Sequence, residues 1–100
     1  MDPAIPDIKI PDVVVSTAGR DQGELFYVIG EEPLYVILAN GKDRSLDKPK
    51  RKKRKHVQKV LRSETRVAQK LRSGDKVLNG ELRRDLAFLA SQLQANNLGG

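Results

Sequence analysis

Val13–Gly30, VVVSTAGRDQGELFYVIG, reads as a strand, a short loop and a second strand. Val13, Val14 and Val15 are β-branched, and such residues lose side-chain freedom in a helix. Leu25–Ile29 is a second apolar run with two aromatics, suited to a pleated, half-buried surface. Between them lies Ala18-Gly19-Arg20-Asp21-Gln22-Gly23. Gly19 and Gly23 can each take φ > 0 without a Cβ penalty, which allows a tight turn.

The pattern continues downstream. Strands are expected at Val13–Thr17, Glu24–Ile29 and Leu34–Ala39, with Gly30-Glu31-Glu32-Pro33 as a turn. Leu34–Ala39 is apolar on both faces, as in a strand buried on both sides of a small closed barrel. Asn40-Gly41 predicts a two-residue type I′ hairpin turn. Lys42–Asp47 would then be the returning strand, with Leu46 pointing inward. Four short strands joined by tight turns suggest an SH3-like barrel.

A basic tract follows. Lys48–Lys55, KPKRKKRK, is basic at every position except Pro49. Like charges at this density repel, so the segment is expected to be solvated and extended. The chain carries a net +6, unevenly placed. Residues 1–41 carry Lys9 and Arg20 against seven acids, a net −5. Residues 42–76 carry 15 Lys/Arg against Asp43, Asp47, Glu64 and Asp75, a net +11. Such a concentration is the electrostatic footprint of a polyanion partner.

The Ala-Gly-Arg-Asp-x-Gly loop, the hairpin after it and the run Asp47-Lys48-Pro49-Lys50-Arg51-Lys52-Lys53-Arg54-Lys55-His56 together resemble the KOW motif. That motif occurs in ribosomal and transcription-elongation proteins. Val13–His56 is similar to short bacterial KOW-domain proteins related to an archaeal and eukaryotic large-subunit ribosomal protein. The resemblance implies an SH3-like barrel and ribosomal RNA as partner. It covers under half of the chain, and neither Met1–Asp12 nor Val57–Leu98 belongs to the pattern.

Those flanks are read from their residues alone. Met1–Asp12 holds Pro3, Pro6 and Pro11, which disfavour helix, so it reads as an extended arm, frayed over Met1–Pro6. Ile5, Ile8 and Ile10 would pack on the outside of the barrel. Beyond His56, Val57, Val60, Leu61, Val67, Ala68 and Leu71 recur at helical spacing, and Ser73-Gly74 is a stop. Ser63 offers a cap for a new helix, which would break the run near Arg62–Ser63. Leu78, Leu82, Leu86, Leu89 and Leu93 form one stripe of a final helix, with Asn79 as its N-cap. The stripe must pack on the barrel, on the preceding helix or on a second copy. Asn96, Asn97, Gly99 and Gly100 read as a loose tail. The expected fold is α+β: an N-terminal arm over residues 1–12, an SH3-like (KOW) barrel with its basic tract over 13–56, and a basic connector leading into two C-terminal helices over 57–100.

Catalysis finds little material. The only histidine is His56, beside the basic tract, and there is no Cys. A nucleophile with a positioned base, or a thiolate metal site, therefore has no obvious members. Glu31-Glu32 reads as a solvated turn. Gly19-x-x-x-Gly23 lacks the Gly-Lys-Ser/Thr ending of a phosphate-binding loop. No enzyme activity, cofactor or small-molecule substrate is expected. The absence of cysteine fits a reducing, cytoplasmic setting. Met1–Asp12 lacks the basic start and apolar core of a secretory leader. The longest aliphatic run, Leu34–Ala39, falls far short of the ~20 residues of a membrane span.

Nucleic-acid binding fares better. Lys48, Lys50, Arg51, Lys52, Lys53, Arg54 and Lys55, with His56, would neutralise phosphates without reading bases. Gly19, Arg20, Gly23, Lys42 and Arg44 would set the position, Gly19 by letting backbone approach a phosphate and Arg20 by forking onto one. The alternative for Arg20 is a plain turn in which it pairs with Asp21 or with solvent. Phe26, Tyr27, Tyr35 and Phe88 all lie on core faces of the expected elements, so base stacking on single strands is not expected. Folded RNA, read by backbone and shape, is the favoured partner, with ribosomal proteins as neighbours. The same tract fits a nuclear localisation signal. A protein-interaction role in translation or transcription, through the barrel or the leucine stripe, is the alternative. Replacing Lys50, Lys52, Lys53 and Lys55 by Ala is expected to remove RNA binding and leave the barrel folded.

Overall fold

The computed structural model describes residues 7–99, with side chains through residue 95. Expectations for Met1–Pro6 and Gly100 lie outside them. The elements are β1 (Asp12–Ser16), β2 (Leu25–Glu31), β3 (Tyr35–Ala39), β4 (Lys50–Lys53), a 3-10 turn (Arg54–His56), β5 (Val57–Arg62), α1 (Arg66–Ser73) and α2 (Asn79–Gly99). The fold is α+β. All pairings are antiparallel, in the order β4-β3-β2-β1-β5. The sheet is not closed: β4 and β5 are its two edges.

The valine and aromatic runs form β1 and β2 in the expected places, with Val13 opposite Tyr27 and Val15 opposite Leu25. Their mixed pattern arises because both faces are buried. On one face Val13, Tyr27 and Ala39 pack with Val67 and Ala68 of α1 and Leu82, Leu86 and Leu89 of α2. On the other, Val14, Phe26, Val28, Val36, Leu38 and Val57 form a second cluster, with Ile8. β3 and β5 share that cluster although two strands separate them, so the sheet curls. Register shifts in β1 at Val13/Val14 and in β2 at Val28/Gly30 are the bulges that bend it.

Several expectations are corrected. Ile8 does not pack on the outside; it is 1% exposed and completes the second core. Lys42–Asp47 is not a strand, although Leu46 does turn inward. Asn40-Gly41 is not a type I′ turn, because that turn needs φ > 0 at both residues and only Gly41 has it. Instead Asn40 Oδ1 accepts from the N–H groups of Lys42 (2.9 Å) and Arg44 (3.0 Å) and organises a wider loop. The returning strand is β4, built from the basic tract. Val57–Arg62 is not helical either. It pairs with β1, so the sheet runs past residue 56 and the helical region starts at Arg66.

The helices are fixed to the sheet by polar contacts as well as by leucines. Thr65, not Ser63, caps α1, accepting from the Ala68 N–H at 3.2 Å. Ser63 is buried and lies 2.8 Å from the Tyr27 hydroxyl, which also donates to Asp85 of α2. Burial, with the Asp85 hydrogen bond, pushes the Tyr27 phenol up to about 12. Gly74 closes α1 where a stop was expected. The α2 helix runs through Asn96 and Asn97 to Gly99, so the loose tail is corrected as well. Leu82, Leu86 and Leu89 of its stripe are buried, while Leu78 is exposed. Among the described residues, no helix is long and apolar enough to cross a membrane.

Candidate nucleic-acid interface

Asp21 is the centre of the β1–β2 loop. Its Oδ1 accepts from Ser16 Oγ and from Lys52 Nζ, each at 2.7 Å. Lys50 Nζ lies 3.3 Å from Oδ2. Lys52 also donates to the Ala18 carbonyl at 2.7 Å. Burial alone would raise the Asp21 pKa. Hydrogen bonds from Lys52, Ser16 and Lys50 outweigh it and hold the carboxyl far below the ordinary carboxylate range. The loop is therefore clamped to β4 in its ionised form. Gly19 and Gly23 both take the positive φ expected of them, 87° and 91°. A Cβ on Gly19 would still clear Lys52 Nζ by 3.6 Å, so its backbone angle, not space, asks for glycine.

The basic tract is not a solvated, extended segment. As β4 it alternates, which turns Lys52 inward and Arg51 and Lys53 outward. Lys52 is 7% exposed and Arg54 is 9% exposed. Arg54 donates to the carbonyls of Ile8 (2.8 Å) and Glu32 (3.0 Å) and ties the N-terminal segment to the sheet. Arg51 forks onto Glu32 through Nε, at 2.9 and 3.1 Å, and lies 3.6 Å over the Tyr35 ring. Lys52 and Arg54 are thus held by partners inside the protein rather than solvated as expected. Removing Lys52 would strip Asp21 of its buried counter-charge, so the four-lysine substitution would unsettle the fold as well.

The remaining cations stay on the surface. Arg20, Lys42, Arg44, Lys53 and Lys55 are exposed, with no carboxylate partner among the described residues. Arg20 does not pair with Asp21, which Lys52 and Lys50 occupy. Lys48 is exposed beside Asp47, and His56 is half-buried. Three shallow depressions run along this side. One is lined by Gly19, Tyr35, Lys50, Lys53 and His56. The next shares Lys50 and adds Arg20 and Arg44. The third is lined by Lys42 of the β3–β4 loop and Arg83 of α2. Glu24 and Asp43 border the last two and interrupt the charge.

Two members were missed in the sequence. Tyr35 reads as a core residue but lines the first depression. Arg83 sits next to buried Leu82, and no sequence signal brings it to Lys42. Packing does so: Asn79 Oδ1 accepts from the Leu46 N–H at 2.8 Å, and the first turn of α2 lies directly on Gly41. Phe88 also leaves its expected core face and is 53% exposed. No protein-family model and no curated protein matches the chain.

Proposed function

We propose that the protein binds structured RNA by its backbone and shape, with ribosomal RNA as the target in a ribosome-associated, cytoplasmic role and no catalytic step. One observation carries this reading. A rigid clamp of Asp21 with Lys50 and Lys52 sets a fixed loop beside exposed, unpaired Arg20, Lys53 and Lys55. Cations held on a rigid frame suit a partner of fixed shape, whereas a mobile tract would bind any polyanion. The resemblance of Val13–His56 to KOW domains supports the same partner. The curled sheet, with β1 bonded on both sides and bulges in β1 and β2, supports a half-open SH3-like arrangement. Burial of Leu82, Leu86 and Leu89 weighs against the leucine stripe as the surface of an interaction module, with Leu78 alone among these four exposed.

The division between free and structural cations gives the test. Lys53→Ala with Lys55→Ala should make the log–log salt dependence of RNA binding shallower by about 2 and leave the melting temperature unchanged. Lys52→Ala should instead cost about 2 kcal/mol of stability, because it takes a buried cation from the largely covered Asp21 carboxylate. Fluorescence anisotropy and thermal melting read both effects. Equal RNA losses from both variants, with equal melting temperatures, would sink the division.

A further inference from the structure

Arg51 is a poor phosphate ligand and a good platform. Its Nε and Nη2 edge is taken by Glu32, with Nη2 2.9 Å from Oε1. Its Cζ lies 3.6 Å from the centre of the Tyr35 ring. That is van der Waals contact distance, as in a cation–π pair. Yet 54% of the side chain remains exposed. Its charge is answered by Glu32, one side rests on Tyr35, and the side chain also lines a surface depression. Gly19, Lys50, Lys53 and His56 line the same depression.

We propose that the Tyr35–Arg51 stack is a docking face for one unpaired nucleobase, such as a bulged or loop base of the folded RNA. Bases splayed from a helix stack on arginine planes as well as on aromatic rings. Here Glu32 and Tyr35 have already ordered the side chain, so stacking costs little further freedom. Lys53 and His56 stand where the adjoining sugar-phosphate backbone would pass. This inference rests on the RNA reading and adds a specificity element to it.

The test uses the full chain and two hairpin RNAs, one fully paired and one with a single bulged 2-aminopurine. The bulged hairpin should bind roughly tenfold tighter, with a change in 2-aminopurine fluorescence on binding. That ratio should persist as salt weakens both complexes. Arg51→Lys keeps the charge and suits an edge strand but removes the plane. It should abolish the bulge preference and the fluorescence change, bringing the bulged hairpin to the affinity of the paired one. Tyr35→Leu should do the same by removing the support. A bulge preference that survives Arg51→Lys overturns the proposal, as does its absence in the unsubstituted chain. Failure of both hairpins to bind overturns the RNA reading itself.

Discussion

Gly41→Ala is expected to lower the melting temperature by about 15–25 °C, as measured by circular dichroism. Gly41 has φ 76°, and a Cβ there would lie 2.2 Å from the Asn79 carbonyl oxygen and 3.0 Å from the Arg83 nitrogen. Both neighbours are backbone of the first turn of α2, so no side chain can swing aside. The left-handed angle costs a non-glycine residue about 1–2 kcal/mol. Forcing packed backbone apart adds about 1–3 kcal/mol. The helix cannot simply retreat, because Leu82 and Leu86 are buried against the sheet one turn on. Gly23→Ala is the control: its φ is 91°, but no atom lies within 4 Å of the added carbon. It should lose only the backbone share. Equal losses at the two glycines would mean that α2 does not rest on the β3–β4 loop.

Asp21→Asn is expected to destabilise the protein by about 3 kcal/mol at neutral pH, by leaving buried Lys52 without its counter-charge. The effect should depend on pH in a defined direction. The Asp21 carboxyl titrates lower in the folded protein than its unfolded value of about 3.9. Its stabilisation is therefore complete above about pH 5 and is lost as pH falls through and below 4. The unsubstituted chain and the Asp21→Asn variant should converge in stability toward acid. Glu32, lowered by Arg51, and Glu81, lowered by Lys70, are too exposed to dominate that trend. RNA binding gives a second signature. The variant gains one positive charge, so indiscriminate polyanion binding should hold or rise. Discrimination of RNA from DNA should fall as the loop loosens. A gap in stability that stays constant down to pH 2 would contradict the clamp.

The strands from Val13 to Ala39 are legible because β-branched runs and turn residues act locally. β4 is not. Lys50–Lys53 has no apolar alternation, and its strand character comes from β3, from Asp21 across the loop and from Tyr35 beside it. β5 was hidden for a different reason. Val57, Val60 and Leu61 fit helical spacing as well as a strand, and only pairing with β1 decides between them. Ile8 likewise looks like part of an arm, yet the second core needs it. The leucine stripe declared α2 but not the sheet face that covers it. At the site, total charge was legible in the sequence. The sorting of that charge into buried Lys52 and Arg54, engaged Arg51 and free Lys53 and Lys55 was not, since it follows from distant partners.

The most direct measurement is a titration of the full chain against folded ribosomal RNA and a length-matched duplex DNA across a salt series. Tighter RNA binding is expected at every salt concentration, with a residual RNA affinity where DNA binding has vanished. Equal affinities that fall together with salt would contradict it, leaving surface lysines attracted to any polyanion.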